Sequence, residues 1–296
     1  MAEVSSIIQF YEKFRDEQVC RDYLEQARWD GEPICPHCGS YKTYKFTNGR
    51  LFKCGDCKKQ FTVRVGTIFE DSKISLQKWF LAVYLATSLK KGISSVQLSK
   101  YLGITQKTAW FMLQRIRYAI ESGSYDKLGG EVEIDETYVG GKSENRAYQP
   151  AKRKEVVFGM VERDGSTTIK HVKSSGARIL LPTIKENVKQ GSMIYSDQWQ
   201  AYKTLPYRGY QHAVVNHSEQ QYVIGRIYTQ NIENVWSQLK RSVYGVYHHV
   251  SPKHLQKYCS ETEYRYNTRR MTDGERFDDW FGNINKRLGY KELING

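Results

Sequence analysis

The sequence predicts a multidomain α+β protein, in which a small cysteine-rich module and a helical region precede a larger α/β domain with a mixed sheet. Three observations support this. Two closely spaced cysteine pairs lie early in the chain, a helical apolar period follows them, and a strand-like period begins after residue 130. The first thirty residues form a further helical segment. The predicted domains are therefore 1–30, 31–72, 73–124 and 130–296.

The composition narrows the class of protein. The chain has 296 residues, enough for two or three domains, and its 40% hydrophobic and 26% charged residues are ordinary for a folded protein. No apolar run approaches the ~18 residues of a membrane helix, which excludes a transmembrane transporter. The polar start of the chain does not resemble a signal peptide or suggest a lipid anchor. Six cysteines, four of them in close pairs, suit a reducing cytosol with a metal site.

The positive charge is concentrated in one part of the chain. The formal net charge is +13, and residues 31–130 alone hold 16 basic and 6 acidic side chains, a net +10. Such a concentration is expected of a surface that follows a polyanion such as DNA. A net positive charge alone is also compatible with nonspecific basicity. The local motifs must therefore decide whether this segment binds DNA.

The two cysteine pairs predict a zinc ribbon. Cys35 and Cys38 form one CxxC, Cys54 and Cys57 form the other, and fifteen residues with an Asn48-Gly49 turn separate them. Two such knuckles place four thiolates around one tetrahedral ion. Because four thiolates leave no open coordination position, the zinc is expected to be structural. A thioredoxin-like redox pair is the weaker alternative, since no βαβ pattern surrounds the cysteines.

Residues 73–122 predict a helix-turn-helix. Ser75 can cap a first helix, a short second helix ends at Gly103, and Thr105 can cap a longer third helix. Helical spacing leaves the polar side chains of the third helix for solvent or DNA, and the candidates for reading DNA are Lys107 and Arg115. An ordinary helical hairpin is the alternative.

After residue 130 the order of predicted elements is that of a ribonuclease H-like fold. Three strands, a helix, a strand, a short helical stretch and a further strand precede the final helices. The strands are predicted at 131–139, 155–163, 167–172, 192–196 and 211–215, and the final helices begin near Gln230 and Pro252. This is an analogy of fold and does not fix function.

Three carboxylates are the candidate catalytic residues. Asp135 lies inside the first strand, Asp197 ends the fourth strand, and Glu233 lies early in the following helix. A carboxylate in an apolar strand is costly unless it binds a cation, and an all-oxygen site suits magnesium. Two such ions can activate a water or a 3′-hydroxyl at a phosphodiester. Any single Asp at a strand end is more often a cap or turn residue than a metal ligand.

Several other polar residues remain candidates. Glu136 faces the opposite side of its strand from Asp135, so both cannot point into one site. Lys240 follows Glu233 by two helical turns, and with Arg241 it can hold a DNA phosphate, although a solvated helix face is a serious alternative. The competing third acids are Glu219, Glu261 and Glu263, and a small histidine cluster comprises His248, His249 and His254.

The motifs together resemble the Merlin-type DDE transposases, which are insertion-sequence transposases with an N-terminal zinc ribbon. The resemblance covers nearly the whole chain. It is carried by Arg28-Trp29 with Cys35-Pro36-His37-Cys38, Gly66-Thr67-Ile68-Phe69, Thr108-Ala109-Trp110, Glu133-Ile134-Asp135-Glu136-Thr137-Tyr138, Ser196-Asp197, Asn231-Ile232-Glu233-Asn234 through Lys240-Arg241, and Tyr264-Arg265-Tyr266-Asn267. By this resemblance Asp135, Asp197 and Glu233 occupy the DDE positions.

The resemblance implies DNA transposition. The chain would bind terminal inverted repeats, free a 3′-hydroxyl end and join it to target DNA with two Mg²⁺ or Mn²⁺ ions, beside one structural Zn²⁺. Its partner would be double-stranded DNA, bound by a homodimer or larger assembly in the bacterial cytoplasm, at the nucleoid. Two alternatives remain: a ribonuclease H-like nuclease that only hydrolyses, and a transposase-derived zinc-ribbon regulator that only binds DNA.

Overall fold

The computed structural model describes residues 4–121, 126–140, 154–215 and 229–295, and these divide into two compact units. Unit 1 comprises residues 1–123 together with 270–296, and unit 2 comprises residues 124–269. The sequence predicted that one domain would run from 130 to 296. That boundary is wrong, because the last 27 residues cluster with the N-terminal part of the chain.

Unit 1 begins with two capped helices and the predicted ribbon. Helix α1 spans Ile7–Lys13 and α2 spans Glu17–Trp29, with Ser6 and Asp16 accepting backbone N–H groups at their N-caps. Three short strands follow as one antiparallel sheet: β1 Thr43–Lys45, β2 Phe52–Cys54 and β3 Gln60–Phe61. The predicted turn at Asn48-Gly49 is confirmed, because it joins the antiparallel strands β1 and β2.

The three helices expected between residues 73 and 122 are confirmed. Helix α3 spans Leu76–Ser88, α4 spans Ser95–Leu102 and α5 spans Gln106–Glu121. Ser75, Ser94 and Thr105 supply the caps, and Gly103 ends α4 with a φ of 60°, in the left-handed region that glycine adopts at low cost. These local signals explain why pattern alone was sufficient here.

The C-terminal segment completes the core of unit 1. Helix α9 spans Asp273–Trp280 and α10 spans Tyr290–Asn295. Phe277 lies in ring contact with Phe10, Phe14 and Phe80, at centroid distances of 5.4–6.1 Å. Burying these rings stabilises the unit through area and edge-to-face geometry, which is why the segment belongs to unit 1.

Unit 2 is built on a five-stranded mixed sheet. The strands are β4 Glu131–Val139, β5 Glu155–Glu162, β6 Thr167–Val172, β7 Met193–Ser196 and β8 Gln211–Val214, in the spatial order β6-β5-β4-β7-β8. The first three pair antiparallel as a meander, while β7 is parallel to β4 and β8 is parallel to β7. This is the ribonuclease H-like arrangement that the order of elements predicted.

Helices cover both faces of this sheet. Helix α6, Ala177–Asn187, packs on the face that carries Ile134, and a short 3-10 turn at Gln200–Tyr202 joins it there. Helices α7, Gln230–Ser242, and α8, Leu255–Asn267, pack on the face that carries Val139. Side chains alternate along a strand, so the odd-numbered residues of β4 face α7. That face carries the candidate catalytic residues.

Candidate active site

The pairing of β4 with β7 brings Asp135 and Asp197 side by side. The two strands are parallel, and Glu133 lies opposite Tyr195. Each aspartate lies two residues beyond that pair, so both extend from the same face of neighbouring chain segments. Asp197 follows the end of β7, and its Oδ1 accepts the backbone N–H of Trp199 at 3.0 Å. That turn holds the second carboxylate at the edge of the sheet.

Glu233 reaches this face from the first turn of α7, which packs on β4 and β5. The same helix contacts Asp135 directly, because Trp236 Nε1 donates to Asp135 Oδ2 at 2.9 Å. Gly159 pairs with Asp135 across the sheet, and a Cβ at Gly159 would lie 2.4 Å from Trp236 Cη2. The missing side chain therefore creates the space in which the indole reaches the carboxylate.

Asp135 lies close enough to the other two acids for their charges to act on it. Burial, followed by the charges of Asp197 and Glu233, raises the pKa of Asp135 to about 6, although hydrogen bonds from Trp236 and from the backbone of Glu136 oppose the shift. Such a carboxylate is short of positive charge, which a bound cation would supply. The donor set, oxygen only, fits magnesium. In the described residues, the four cysteines of the ribbon are the only group of three or more potential metal ligands whose ligand atoms all lie within 4.8 Å of one another. The carboxylate oxygens of Asp135, Asp197 and Glu233 are therefore farther apart than those sulfur atoms.

Glu136 lies on the opposite face of β4, as strand alternation predicted. Burial raises the pKa of Glu136 to about 7, and the charges of Asp135 and Asp197 add to the shift. Its neighbour there is Tyr202, whose hydroxyl pKa is raised mainly by burial and then by the charge of Glu136. Glu136 thus contributes negative charge near the site while its side chain projects away from α7.

Glu133 is a buried acid beside the candidate site that the sequence analysis did not single out. Its carboxylate is fully buried and accepts hydrogen bonds from the backbone N–H groups of Asn231 and Ile232 at 2.9 and 3.2 Å. It also accepts from Asn231 Nδ2 at 2.9 Å and from Arg163 Nε at 3.0 Å. Glu133 therefore caps the helix that carries Glu233. Its position two residues before Asp135, on the same face of the strand, was the available signal.

The competing third acids have other partners. Glu263 is buried on α8 and accepts the backbone N–H of Ile169 at 2.8 Å, while Glu261 pairs with Arg265 at 2.6 Å. Glu263 therefore joins α8 to β6, and Glu261, which also accepts from the Tyr247 hydroxyl at 2.8 Å, joins α8 to the turn after α7. Glu219 lies outside the described residues. Of the third-acid candidates that the structure describes, Glu233 is the one whose charge acts on Asp135.

Two basic residues of α7 lie where the helical period predicted. Lys240 and Arg241 are exposed in the last turns of the helix. Lys240 is seven residues after Glu233, which places it about 10 Å along the same face of the helix.

The four cysteines of the ribbon form one cluster. Their sulfur atoms all lie within 4.8 Å of one another, with Cys35 Sγ 3.7 Å from Cys57 Sγ and Cys38 Sγ 3.6 Å from Cys54 Sγ. The backbone N–H of Cys57 points at Cys54 Sγ and lowers the pKa of that thiol to about 6. Four converging sulfurs with one favoured thiolate fit a tetrahedral zinc ion.

The two DNA-reading candidates of α5 differ in the structure. Lys107 is exposed, with its Nζ 5.0 Å from the ring centroid of Tyr290. Arg115 is only 5% exposed and donates to the carbonyl oxygens of Ile68, Glu70 and Leu288 at 2.7–3.0 Å. The expectation that Arg115 faces solvent is wrong, because the C-terminal segment covers that side of α5.

Comparisons with known proteins agree with these features. A family model for the ISXO2-like transposase domain matches residues 127–267, and one for the transposase zinc-ribbon domain matches residues 15–60. A transposase-like protein of Haemophilus influenzae is 32% identical over 30% of this chain and 70% of its own length. The chain belongs to the zinc-ribbon insertion-sequence transposases. A protein of the transposable element ISH50 in Halobacterium salinarum is 28% identical over 77% of this chain and 83% of its own.

Similarity to solved structures is low. The simian T-cell lymphotropic virus intasome in complex with PP2A regulatory subunit B56 gamma gives a TM-score of 0.32 and 12% identity, over 56% of this chain and 63% of that chain. A pre-cleavage Mos1 transpososome gives a TM-score of 0.20 and 10% identity, over 66% of this chain and 75% of that chain. No helix in the described residues of this transposase is long and apolar enough to cross a membrane.

Proposed function

We propose that this transposase cleaves DNA at the ends of its element and joins the freed 3′-hydroxyl ends to target DNA, with Asp135, Asp197 and Glu233 as the catalytic carboxylates. One observation carries the proposal. Asp135 lies within β4, Asp197 directly follows the neighbouring parallel strand β7, and Glu233 reaches the same face from α7, near enough for both charges to act on the pKa of Asp135. Carboxylates perturbed by burial and by one another's charge cluster at functional sites.

The residues of the proposed active site have different roles. Asp135, Asp197 and Glu233 would together hold the metal ions through their carboxylate oxygens. Two bound magnesium or manganese ions would supply the charge that activates a water or a 3′-hydroxyl and stabilises the leaving oxygen. Trp236 fixes the orientation of Asp135 by donating to one oxygen, which leaves the other for a metal ion. Glu133 acts as a positioning residue for Glu233, because it holds the N-terminus of α7.

Double-stranded DNA is the proposed partner, bound at its terminal inverted repeats by the ribbon and by helices α4 and α5. The charge of residues 31–130, the exposed Lys107 and the cations of α7 support this proposal. The four-cysteine site would hold a structural zinc ion. Because two element ends must be processed together, we propose a homodimer or larger assembly on DNA, acting at the bacterial nucleoid.

The test is cleavage of DNA that carries the sequences flanking this gene. Wild type is compared with Asp135→Asn, and with Asp126→Asn as a matched change at an exposed aspartate of the same unit. The expected result is magnesium-dependent cutting at one repeat boundary by wild type and by the Asp126 variant, and a loss of at least 100-fold in the Asp135 variant, on the order that ligand removal gives. Labelled target DNA then reports joining.

Two other results would change the assignment. Cutting without joining, in the presence of target DNA and a pre-cut 3′-hydroxyl end, would make the chain a nuclease. Specific binding with no cutting by any variant, in magnesium or manganese and with a pre-nicked end, would make it a DNA-binding regulator.

A further inference from the structure

A pocket of about 690 Å³ lies in unit 2 beside the proposed catalytic face. It is formed by the last residues of β4, the first residues of β5, the end of α7 and the turn that leads to α8. Its described lining includes Tyr138, Lys154, Lys240, Tyr244, His248 and His249. Ligand pockets for small molecules have volumes of ~300–1,000 Å³, so this one has room for a nucleotide.

The lining combines cations with aromatic rings. Lys154 and Lys240 are exposed lysines, and the one acid among the described lining residues, Glu155, lies 2.8 Å from His171 Nε2. The ring of Tyr244 is 47% exposed. Tyr138 borders the pocket through its backbone, because its side chain projects to the other face of β4, where its hydroxyl lies 3.5 Å from Ser175 Oγ. Positive groups beside half-exposed aromatic faces are the arrangement by which proteins hold the phosphates and bases of single-stranded nucleic acid.

The distance from the proposed catalytic carboxylates to the pocket is about the same along α7 as along β4. Along α7, seven residues separate Glu233 from Lys240, a rise of about 10 Å. Along β4, three residues separate Asp135 from Tyr138, also a rise of about 10 Å. At about 3.4 Å per nucleotide along one strand, this span corresponds to two or three nucleotides from a phosphate at the carboxylates.

The turn that forms one wall has an unusual backbone. Residues Val243–Tyr247 continue α7 as a π-helical turn, and His248 follows with a φ of 60°. His248 Nδ1 lies 3.2 Å from the carbonyl oxygen of Tyr244, so Nδ1 carries the proton and Nε2 is left for a ligand. The Tyr244 hydroxyl reaches the carbonyl oxygen of Gly140 at 3.3 Å. Strained turns of this kind persist where the surroundings hold them and often form ligand sites.

We propose that this pocket holds a single nucleotide, withdrawn from its base stack, located two or three positions from the cleaved phosphate. The ammonium group of Lys240 contacts the phosphate, and the base packs on the ring of Tyr244. The proposal rests on the proposed function for the identity of the DNA, and it adds a binding site to it. His254, the third histidine of the cluster, is buried and lies outside this lining.

Photocrosslinking of the full chain tests the site. 5-Iodo-deoxyuridine is placed singly near the cut in element-end DNA, and also in a six-nucleotide single strand whose binding does not require the repeat sequence. After irradiation, the adducts are mapped by mass spectrometry. We expect adducts on Tyr244 from one or two adjacent positions of the end DNA, and from the short strand.

Two variants separate stacking from folding. Tyr244→Ala is expected to weaken binding of the short strand about 5- to 100-fold, whereas Tyr244→Phe, which keeps the ring, binds within about 2-fold of wild type. Tyr207→Ala is the matched control, because Tyr207 is 90% exposed elsewhere in unit 2. Tyr244→Leu, which fills more of the space of the ring but cannot stack, provides the same test if the Tyr244→Ala chain does not fold. Lys240→Gln is expected to reduce the slope of log affinity against log salt by ~0.7.

The outcomes distinguish this site from the proposed function. Cleavage of end DNA with no adduct in the pocket, or equal affinity in Tyr244→Ala and Tyr207→Ala, overturns the nucleotide site alone. Adducts in the pocket from the short strand, with no cleavage of end DNA, support the site and overturn the transposition activity. Binding of a duplex without any extruded base would give adducts only outside the pocket, and would also refute the proposal.

Discussion

Replacing Asp135 with asparagine is expected to make the metal-free protein more stable while it abolishes cleavage. Burial and two neighbouring charges raise the pKa of this carboxyl from 3.8 to about 6 in the folded state. Each pKa unit corresponds to ~1.4 kcal/mol, so ionising Asp135 near pH 7.5 costs up to about 3 kcal/mol. Partial solvent access lowers this to about 1–3 kcal/mol. Asparagine has no such cost and still offers an oxygen to Trp236.

The difference in stability between wild type and Asp135→Asn should depend on pH. Below about pH 4 the carboxyl is protonated in both the folded and the unfolded wild type, so wild type and Asp135→Asn should have similar stability. As pH rises through 6 the folded wild type loses its favoured proton, and its stability falls relative to the variant. Glu136, whose pKa is also raised by burial, is present in both proteins and cancels in the comparison.

Differential scanning calorimetry measures the effect. At pH 7.5 with a chelator, we expect the transition of unit 2 to rise by roughly 2–10 °C in Asp135→Asn and by less than about 1 °C in the exposed control Asp126→Asn. Magnesium should raise the wild-type transition and leave that of the Asp135 variant almost unchanged. A variant that is less stable than wild type at pH 7.5, or a difference that persists at pH 4, would refute the reasoning.

Three further predictions concern other parts of the molecule. Cys54→Ser should reduce bound zinc, measured by atomic emission, from one ion per chain to about none, and Cys20→Ala should leave it at one. Arg115→Ala should destabilise unit 1 by about 2–4 kcal/mol in urea titrations, because three buried carbonyl groups lose their donor. Lys107→Ala should weaken DNA binding and leave the free energy of unfolding unchanged. Gly159→Ala should cost about 1–3 kcal/mol and impair cleavage, because its Cβ displaces the indole beside the catalytic face; an unchanged crystal position of that indole would contradict this.

Local patterns were sufficient for the parts of the fold that local physics determines. For example, the N-cap Ser94 and the C-cap Gly103 determine where α4 begins and ends, and neither signal depends on the rest of the chain. Strand alternation likewise predicted that Asp135 and Glu136 face opposite sides. The two CxxC knuckles predicted the cysteine cluster, because the spacing that one ion requires is itself local.

Long-range packing was the part that the sequence did not reveal. Arg115 has the period of an exposed helical residue, and only the return of the chain near Leu288 buries it. The same return moved residues 270–296 out of the predicted catalytic domain. Glu133 was overlooked for a related reason. An acid within a strand indicates a buried partner, and that partner, the N-terminus of α7, lies about a hundred residues later in the chain.

In the proposed site, the fold holds Asp135 in place without neutralising the charge of its carboxylate. Glu133, on the same face of β4, receives four hydrogen bonds from Arg163 and the N-terminus of α7, so its charge is fully compensated. Asp135, two residues farther on, receives one side-chain hydrogen bond from Trp236. Adjacent acids on one strand thus differ in role because their surroundings differ. The compensated acid fixes the helix that brings Glu233, and the uncompensated acid retains the affinity for a cation that phosphoryl transfer requires.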